Sequence, residues 1–409
     1  MQARASRLCA IVGALSIALL SACQTSAPPP PRVLPPPPPP PPVRLAPHQL
    51  SQDEPQFLRL PNMDPKIVPL RVGVILPFSN ASTGTRALAS AMLKAAQMAL
   101  FDSGRRDLIL MTADDSAKPQ EAAAAAEKLL AEGAEVIIGP LFAQSVSAVA
   151  PLSRDRGVPV IAFSTDRSVA GNGVYLLSFQ PQDEVHRAIG YALAQGHRNF
   201  AALVPSTSYG QVAEEAFRSE VAAGGGTVAD VERFAPGSGA VMNQTAAIAK
   251  VHPDAVFIAQ GGTMLRAIAP TLAYNGVDPT QVKLIGTGVW DDPAIAKEAA
   301  LKDGWFAAPA PDADSGFATK YRAIFGTAPP QLAALAYDAV SLIALLGSGP
   351  PYRRFGEAAL TDPNGFAGVN GIFRFNGDGA IERGLAVLAV EPGGFEVVSP
   401  APKTFQHGS

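Results

Sequence analysis

Cysteine is almost missing from this 409-residue chain: only Cys9 and Cys23 occur. Both precede the main body, which therefore has no disulfide and no thiolate metal site and must rely on its apolar core. Charge is thin as well. Charged residues make up 16% of the chain, the net charge is −3, and no basic run occurs, which argues against a nucleic-acid partner. The five histidines (His48, His186, His197, His252 and His407) are scattered without metal-ligand spacing and read as surface residues. The G-x-S-x-G elbow, the P-loop lysine and a G-x-G-x-x-G after a first strand are all absent. The loop pairs Asp114-Asp115 and Asp291-Asp292 could serve acid/base work. Helix capping or ligand hydrogen bonding accounts for them more simply, so neither catalysis nor a cofactor is expected. Beyond residue 20, no segment reaches transmembrane length without a charge.

What is present begins at the N-terminus. Arg4 and Arg7 precede a thirteen-residue apolar stretch, Leu8 to Leu20, short of the roughly 20 residues a spanning helix needs. Residues 1–22 thus read as an export signal. The sequence Leu20-Ser21-Ala22-Cys23 resembles a bacterial lipobox, which implies lipid on Cys23; the alternative is an ordinary secretory signal that contains a cysteine. Gln24, where an aspartate would retain the protein at the inner membrane, implies an outer-membrane anchor. Each buried acyl methylene contributes about 0.8 kcal/mol to such an anchor. Twelve of the fifteen positions 28–42 are proline. That tract should form a polyproline II rod of ~45 Å, with a merely disordered spacer as the alternative. Residues 23–65 together read as a lipidated tether, and recognition of the tract by a partner stays open.

From residue 67 the composition alternates between short apolar runs and amphipathic stretches. "IVPLRVGVIL" (67–76), "DLILMTADD" (107–115), "EVIIGP" (135–140) and "VPVIAF" (158–163) read as strands, separated by helical spacings at 84–101, 119–134 and 144–156. The pattern restarts after Gln182, with strands at 199–205, 227–234, 254–260, 282–288 and 304–308. Such alternation predicts an α/β fold of two Rossmann-like lobes with parallel sheets joined by hinge crossings. Lobe 1 is expected over 66–182 and 309–368, lobe 2 over 183–308 and 369–400, with a tail at 401–409. The tail region contains helices near 315–325, 331–346 and 353–360, then a β-hairpin turning at Asn376-Gly377-Asp378-Gly379. The returning chain is expected to complete the first sheet before crossing again.

In parallel open sheets, ligands meet the carboxyl ends of the strands. The loops there are "PFSNASTG" (77–84), "GPLFAQS" (139–145), "FSTDRS" (163–168), "PSTSYGQ" (205–211), "AQGGT" (259–263) and "GTGVWDD" (286–292). They are rich in Ser, Thr, Gly and aromatic residues, and Ser79 and Trp290 are among their candidate ligand contacts. Helix capping alone accounts for any single Ser or Thr; facing rims would make a ligand cleft.

Three stretches, "RVGVILPFSNASTGTRALASAMLKAAQMALFD", "ADDSAKPQEAAAAAEKLLAEGAEVIIGPLFAQSVSAVAPLSRDRGVPVIAFSTD" and "PDAVFIAQGG", resemble the type I periplasmic binding fold of the leucine/isoleucine/valine-binding proteins. The ending "GFAGVNGIFRFNGDGAIERGLAVLAV" is similar to one branch, the penicillin-binding protein activator lipoproteins. The resemblance implies a ligand carboxylate near Ala143 or Gln144, with Ser145 adjacent, and near Ser164 and Thr165, an ammonium at Asp291, and a covering aromatic at Tyr209. The chain departs from the receptors at Asp166, which would repel a carboxylate, and in lacking their disulfide. It departs from the activators in lacking their helical-repeat domain. Two functions follow as expectations. One is a non-catalytic, outer-membrane-anchored periplasmic regulator of a peptidoglycan synthase (a penicillin-binding protein). The alternative is the receptor of an ABC importer for amino acids or a related small polar ligand. A sensor that closes on a cell-wall fragment would join the two.

Overall fold

Val72, Val74, Ile75 and Leu76 are all but sealed from solvent, as a parallel strand must be when helices cover both faces of its sheet. The computed structural model describes residues 49, 57–237, 241–351 and 353–405, all within one unit, Pro42–Ser409. The expected export signal, lipidated Cys23 and proline tract lie outside the described residues. Among the described residues, no helix is long and apolar enough to cross a membrane.

Lobe 1 runs β1 (Leu58–Arg59), β2 (Leu70–Leu76), α1 (Thr83–Ser103), β3 (Leu108–Asp114), α2 (Pro119–Ala131), β4 (Val136–Ile138), α3 (Ala143–Asp155), β5 (Val160–Ala162) and β6 (Val174–Leu176). The sheet order is β1-β3-β2-β4-β5-β6. It is parallel except for β1, which lies antiparallel on β3. Local chemistry sets the helix ends. The Ser82 side chain accepts the Thr85 N–H to open α1, and Gly104 closes it at φ 63°, where a side chain would be strained. Two features depart from expectation. Residues 58–59, placed in the loose tether, form a strand, and β6 is a strand of three residues that follows Gly171-Asn172-Gly173, too short for a readable alternation.

Lobe 2 follows with α4 (Pro181–Ala194), β7 (Asn199–Pro205), α5 (Ser208–Ala223), β8 (Thr227–Phe234), α6 (Met242–Lys250), β9 (Ala255–Ile258), α7 (Gly262–Tyr274), β10 (Lys283–Gly286) and β11 (Trp305–Ala308). The chain then returns to lobe 1 through α8 (Ser315–Phe325) and α9 (Ala333–Leu346). Helix α9 packs its buried Leu335, Ala336, Ala339 and Ile343 into the same core as Met92, Ala96 and Ala99 of α1. The small side chains on both surfaces let the two helices approach closely.

After α10 (Glu357–Leu360), a remnant of the helix expected at 353–360, come β12 (Phe366–Gly368), β13 (Gly371–Phe375) and β14 (Ile381–Arg383). These form a separate three-stranded antiparallel sheet. Phe373, Phe375 and Ile381 sit in the lobe 1 core, so this segment belongs to lobe 1 and the return to lobe 2 comes at about 384–386, later than the expected 369. The turn falls where the sequence placed it. It does not add a strand to sheet 1 but seals its edge, the Gly379 carbonyl accepting Leu176 N–H at 2.9 Å. A Cβ on Gly379 would stand 2.1 Å from the Val174 carbonyl oxygen, so only glycine allows this approach. Finally β15 (Ala386–Glu391) and β16 (Gly394–Ser399) complete sheet 2, ordered β16-β15-β11-β10-β9-β7-β8.

Candidate ligand-binding cleft

The lobe 1 rim is built where β2, β3 and β4 end. Ser79 Oγ lies 2.5 Å from Ser116 Oγ, and Ser79 N–H donates to Asp114 Oδ1 at 3.2 Å. Asn80 Nδ2 donates to the Ser116 carbonyl, and Gln144 Nε2 to the Ala117 carbonyl at 2.8 Å. Ser116 and Ala117 hold positive φ, 47° and 61°, strain that the surrounding bonds sustain. The structure thus brings Ser79 and Gln144 together, exposed on one rim, around a loop that sequence reasoning entered only as the Asp114-Asp115 pair. Burial pushes the Asp114 carboxyl up, but hydrogen bonds from the Ser79 side chain and from the backbone N–H groups of Ser116, Ser79 and Phe78 together hold it below the usual carboxylate range. The nearby cation Arg86 is occupied, its Nη1 donating to the Asn80 and Ala81 carbonyls.

Ser145 is a correction. It is fully buried because the third residue of α3 turns inward, and its hydroxyl faces the Asp115 carboxyl rather than solvent. Burial raises the Asp115 pKa, with the Ser145 hydroxyl opposing the shift. Ser164 and Thr165 stand apart from this cluster. Ser164 is buried and its Oγ accepts Asp166 N–H at 3.1 Å. Asp166 in turn caps the following turn through Ser168 N–H, so these residues shape their own loop, and Thr165 is exposed beside it.

On lobe 2, Tyr209 Oη lies 2.6 Å from Thr287 Oγ1. The next residue in the loop, Gly288, donates its N–H to Glu184 Oε2 at 3.0 Å. A polar chain therefore runs from the first turn of α4 through the β10 loop to Tyr209. Burial raises the Glu184 pKa to about 8, the Gly288 N–H partly opposing and Asp183 adding to the shift. Burial also raises the Tyr209 pKa, with Glu184 contributing, so the phenol stays neutral and able to donate. Tyr209, Thr207, Pro236, Gln260 and Val289 line a concavity of about 410 Å³. Sequence reasoning missed Glu184 and Thr287. Glu184 sits in "QPQDEV", where acids in a first helical turn read as dipole partners, and no spacing singles it out.

Trp290 is the second correction. It is wholly buried in the lobe 2 core, with Nε1 donating to the Gln260 carbonyl at 3.0 Å. The cause is Gly286: a Cβ there would meet the indole at 2.1 Å, so the missing side chain opens the slot that takes the ring. Asp291 does stay exposed at the rim. Its pKa is raised by partial enclosure, then by Asp314 at the start of α8 and by adjacent Asp292. Asp314 joins this acidic group from the segment that returns to lobe 1. Among the described residues, no group of His, Cys, Asp and Glu suits a metal ion.

A family model described as periplasmic binding protein matches residues 69–394. Among solved structures, the chain is similar to a putative branched-chain amino acid ABC transporter from Rhodospirillum rubrum, with 20% identity and TM-score 0.73, covering 81% of this chain and 100% of that one. It is also similar to a solute binding protein of an ABC transporter from R. palustris in complex with benzoate, with 20% identity, TM-score 0.58 and 82% and 97% coverage. A leucine binding protein from Thermotoga maritima gives 21% identity, TM-score 0.56 and 81% and 98% coverage. An uncharacterized protein of Rickettsia prowazekii (strain Madrid E) is 24% identical over 114 residues, 28% of this chain and 30% of that protein's length.

Proposed function

Because this chain belongs to the periplasmic binding protein family, we propose that it is a solute-binding receptor, the partner of an ABC importer, that holds a small polar or aromatic molecule between its lobes. The observation that carries the reading is the lobe 2 rim, where buried Glu184 fixes the loop bearing Thr287 and so sets Tyr209 over the concavity. Periplasmic location follows from the family, and lipid on Cys23 with outer-membrane attachment is part of the proposal. Ser79, Gln144, Tyr209 and Asp291 are the proposed ligand contacts, Asp291 receiving a cationic group that would relieve its repulsion from Asp292 and Asp314. A thermal-shift screen of amino acids, small amides, benzoate and hydroxybenzoates tests this. A ligand at 100 times its Kd should stabilise the protein by ~2.7 kcal/mol, and a flat response across all four classes counts against the receptor reading.

A second reading, regulation of a peptidoglycan synthase without catalysis, is favoured by the lipobox, the proline tract and the ending at 365–390. Cross-linked envelopes that yield no such synthase with this protein would remove it.

A further inference from the structure

The residues after β16 do not trail away. Ala401 still packs on the lobe 2 core, and Arg187 of α4 grips the start of the segment, its Nη2 donating to Ser399 Oγ at 2.6 Å and to the Pro400 carbonyl at 3.2 Å. The same guanidinium donates through Nε to the Leu385 carbonyl at 2.8 Å, tying the departing segment to the strand that has just entered lobe 2. Four residues later the chain is in lobe 1. Phe405 is only 9% exposed, and its ring lies 4.6 Å from the Arg374 guanidinium of β13. A Cβ on Gly365, before β12, would stand 2.8 Å from that ring. Between the two anchors, Pro402, Lys403 and Thr404 are exposed. Beneath them lies a cavity of about 700 Å³, lined also by Asp183, Arg187, Glu382 and Arg383.

We propose that residues 400–405 are a strap across the hinge, a fourth connection between the lobes that limits how far they part. Three covalent crossings near residues 177–181, 308–315 and 384–386 form the hinge itself, and hinge residues of this kind absorb dihedral changes with little resistance. The strap differs because side chains hold it at each end, Arg187 on lobe 2 and the seat of Phe405 on lobe 1, so it resists extension rather than bending. Opening that carries Arg374 away from Arg187 must pull Phe405 from its seat or break the Arg187 bonds.

The test uses the full chain with Cys9→Ser and Cys23→Ser, leaving no native thiol. Spin labels on Ser90→Cys in α1 and Lys250→Cys in α6, both exposed, report the interlobe distance by pulsed electron resonance. No solute is added, so the outcome is independent of the receptor reading. Phe405→Ala and a chain ending at Ser399 should each give a broader distribution with a longer mean than the parent. Distributions that superimpose on the parent's overturn the strap. Far-UV circular dichroism checks the fold. If Phe405→Ala unfolds, Phe405→Leu replaces it, keeping apolar volume while losing the ring over Arg374. If no variant folds, the segment is needed for folding rather than for restraint, and the proposal falls.

Discussion

At the scale of single residues, Glu184 makes the clearest test. Its carboxyl titrates near 8 in the folded chain against 4.5 when exposed, so the folded state holds a proton that the unfolded state has lost between those values. Stability contributed by the protonated form is complete below about 4.5 and is lost as pH rises toward 8. Glu184→Gln keeps an acceptor for the Gly288 N–H and cannot ionise. The variant should gain on the parent by roughly 1.4 kcal/mol per pH unit across that window, as measured by urea unfolding at several pH values. A stability difference that does not change with pH would contradict the assignment. Tyr209→Phe is its counterpart: it leaves buried Thr287 without a partner, costing about 1 kcal/mol, and should weaken binding of any solute found in the thermal-shift screen more than it weakens the fold.

At the scale of elements, the end of β10 carries a larger penalty. Gly286→Ala would place a methyl inside the indole of Trp290, ejecting the ring from the core and disturbing the loop that supports Tyr209. A loss of about 3–5 kcal/mol, comparable to deleting the ring by Trp290→Ala, is expected from denaturation midpoints, and a near-neutral Gly286→Ala would refute that packing argument. The same spot explains a limit of sequence reading. "GTGVWDD" lies on a strand-end loop, where an aromatic next to acids reads as a ligand contact, and nothing in the local string reveals that Gly286 offers the ring a slot. Most strands and helices were legible because they are apolar runs or helical repeats bounded by turn residues, whereas β12 and β16 were not read as strands and the helix expected at 353–360 shrinks to Glu357–Leu360. Strand β6 and the pairing of 58–59 were not legible either, since two or three residues carry no period. Ser79 and Gln144 read correctly as rim residues; Ser145 did not, because one helical step separates outward from inward.

At the scale of the whole molecule, burial raises the carboxyls of Asp183 and Asp338 to about 6, adding to the effect of Glu184. All three have the same sign, the folded chain retaining protons that the unfolded chain releases. The contribution of these groups should therefore be greatest near pH 4 and decline through 6 and on toward 8, measured as the urea midpoint at fixed ionic strength; a midpoint that rises with pH across that window would oppose this sum. The two-lobed plan and its parallel sheets followed from the alternation of runs. The late return to lobe 2 did not, because the β12–β14 segment carries the pattern of a hairpin whichever lobe it covers, and only the seating of Phe373 and Phe375 decides.

The two sheets also differ at their margins. Sheet 1 is closed on one side by the short β1 and on the other by the Gly379 turn, whereas sheet 2 ends in β8 and β16. Strand β8 bears Asp230, Glu232 and Arg233, charges that discourage addition of a further strand. Strand β16, "GFEVVS", has Glu396 alone beside Phe395, Val397 and Val398. Self-association into fibrils should thus start at the C-terminal ribbon, and Glu396→Ala should shorten the lag of thioflavin-positive growth while a lysine at Val397 lengthens it.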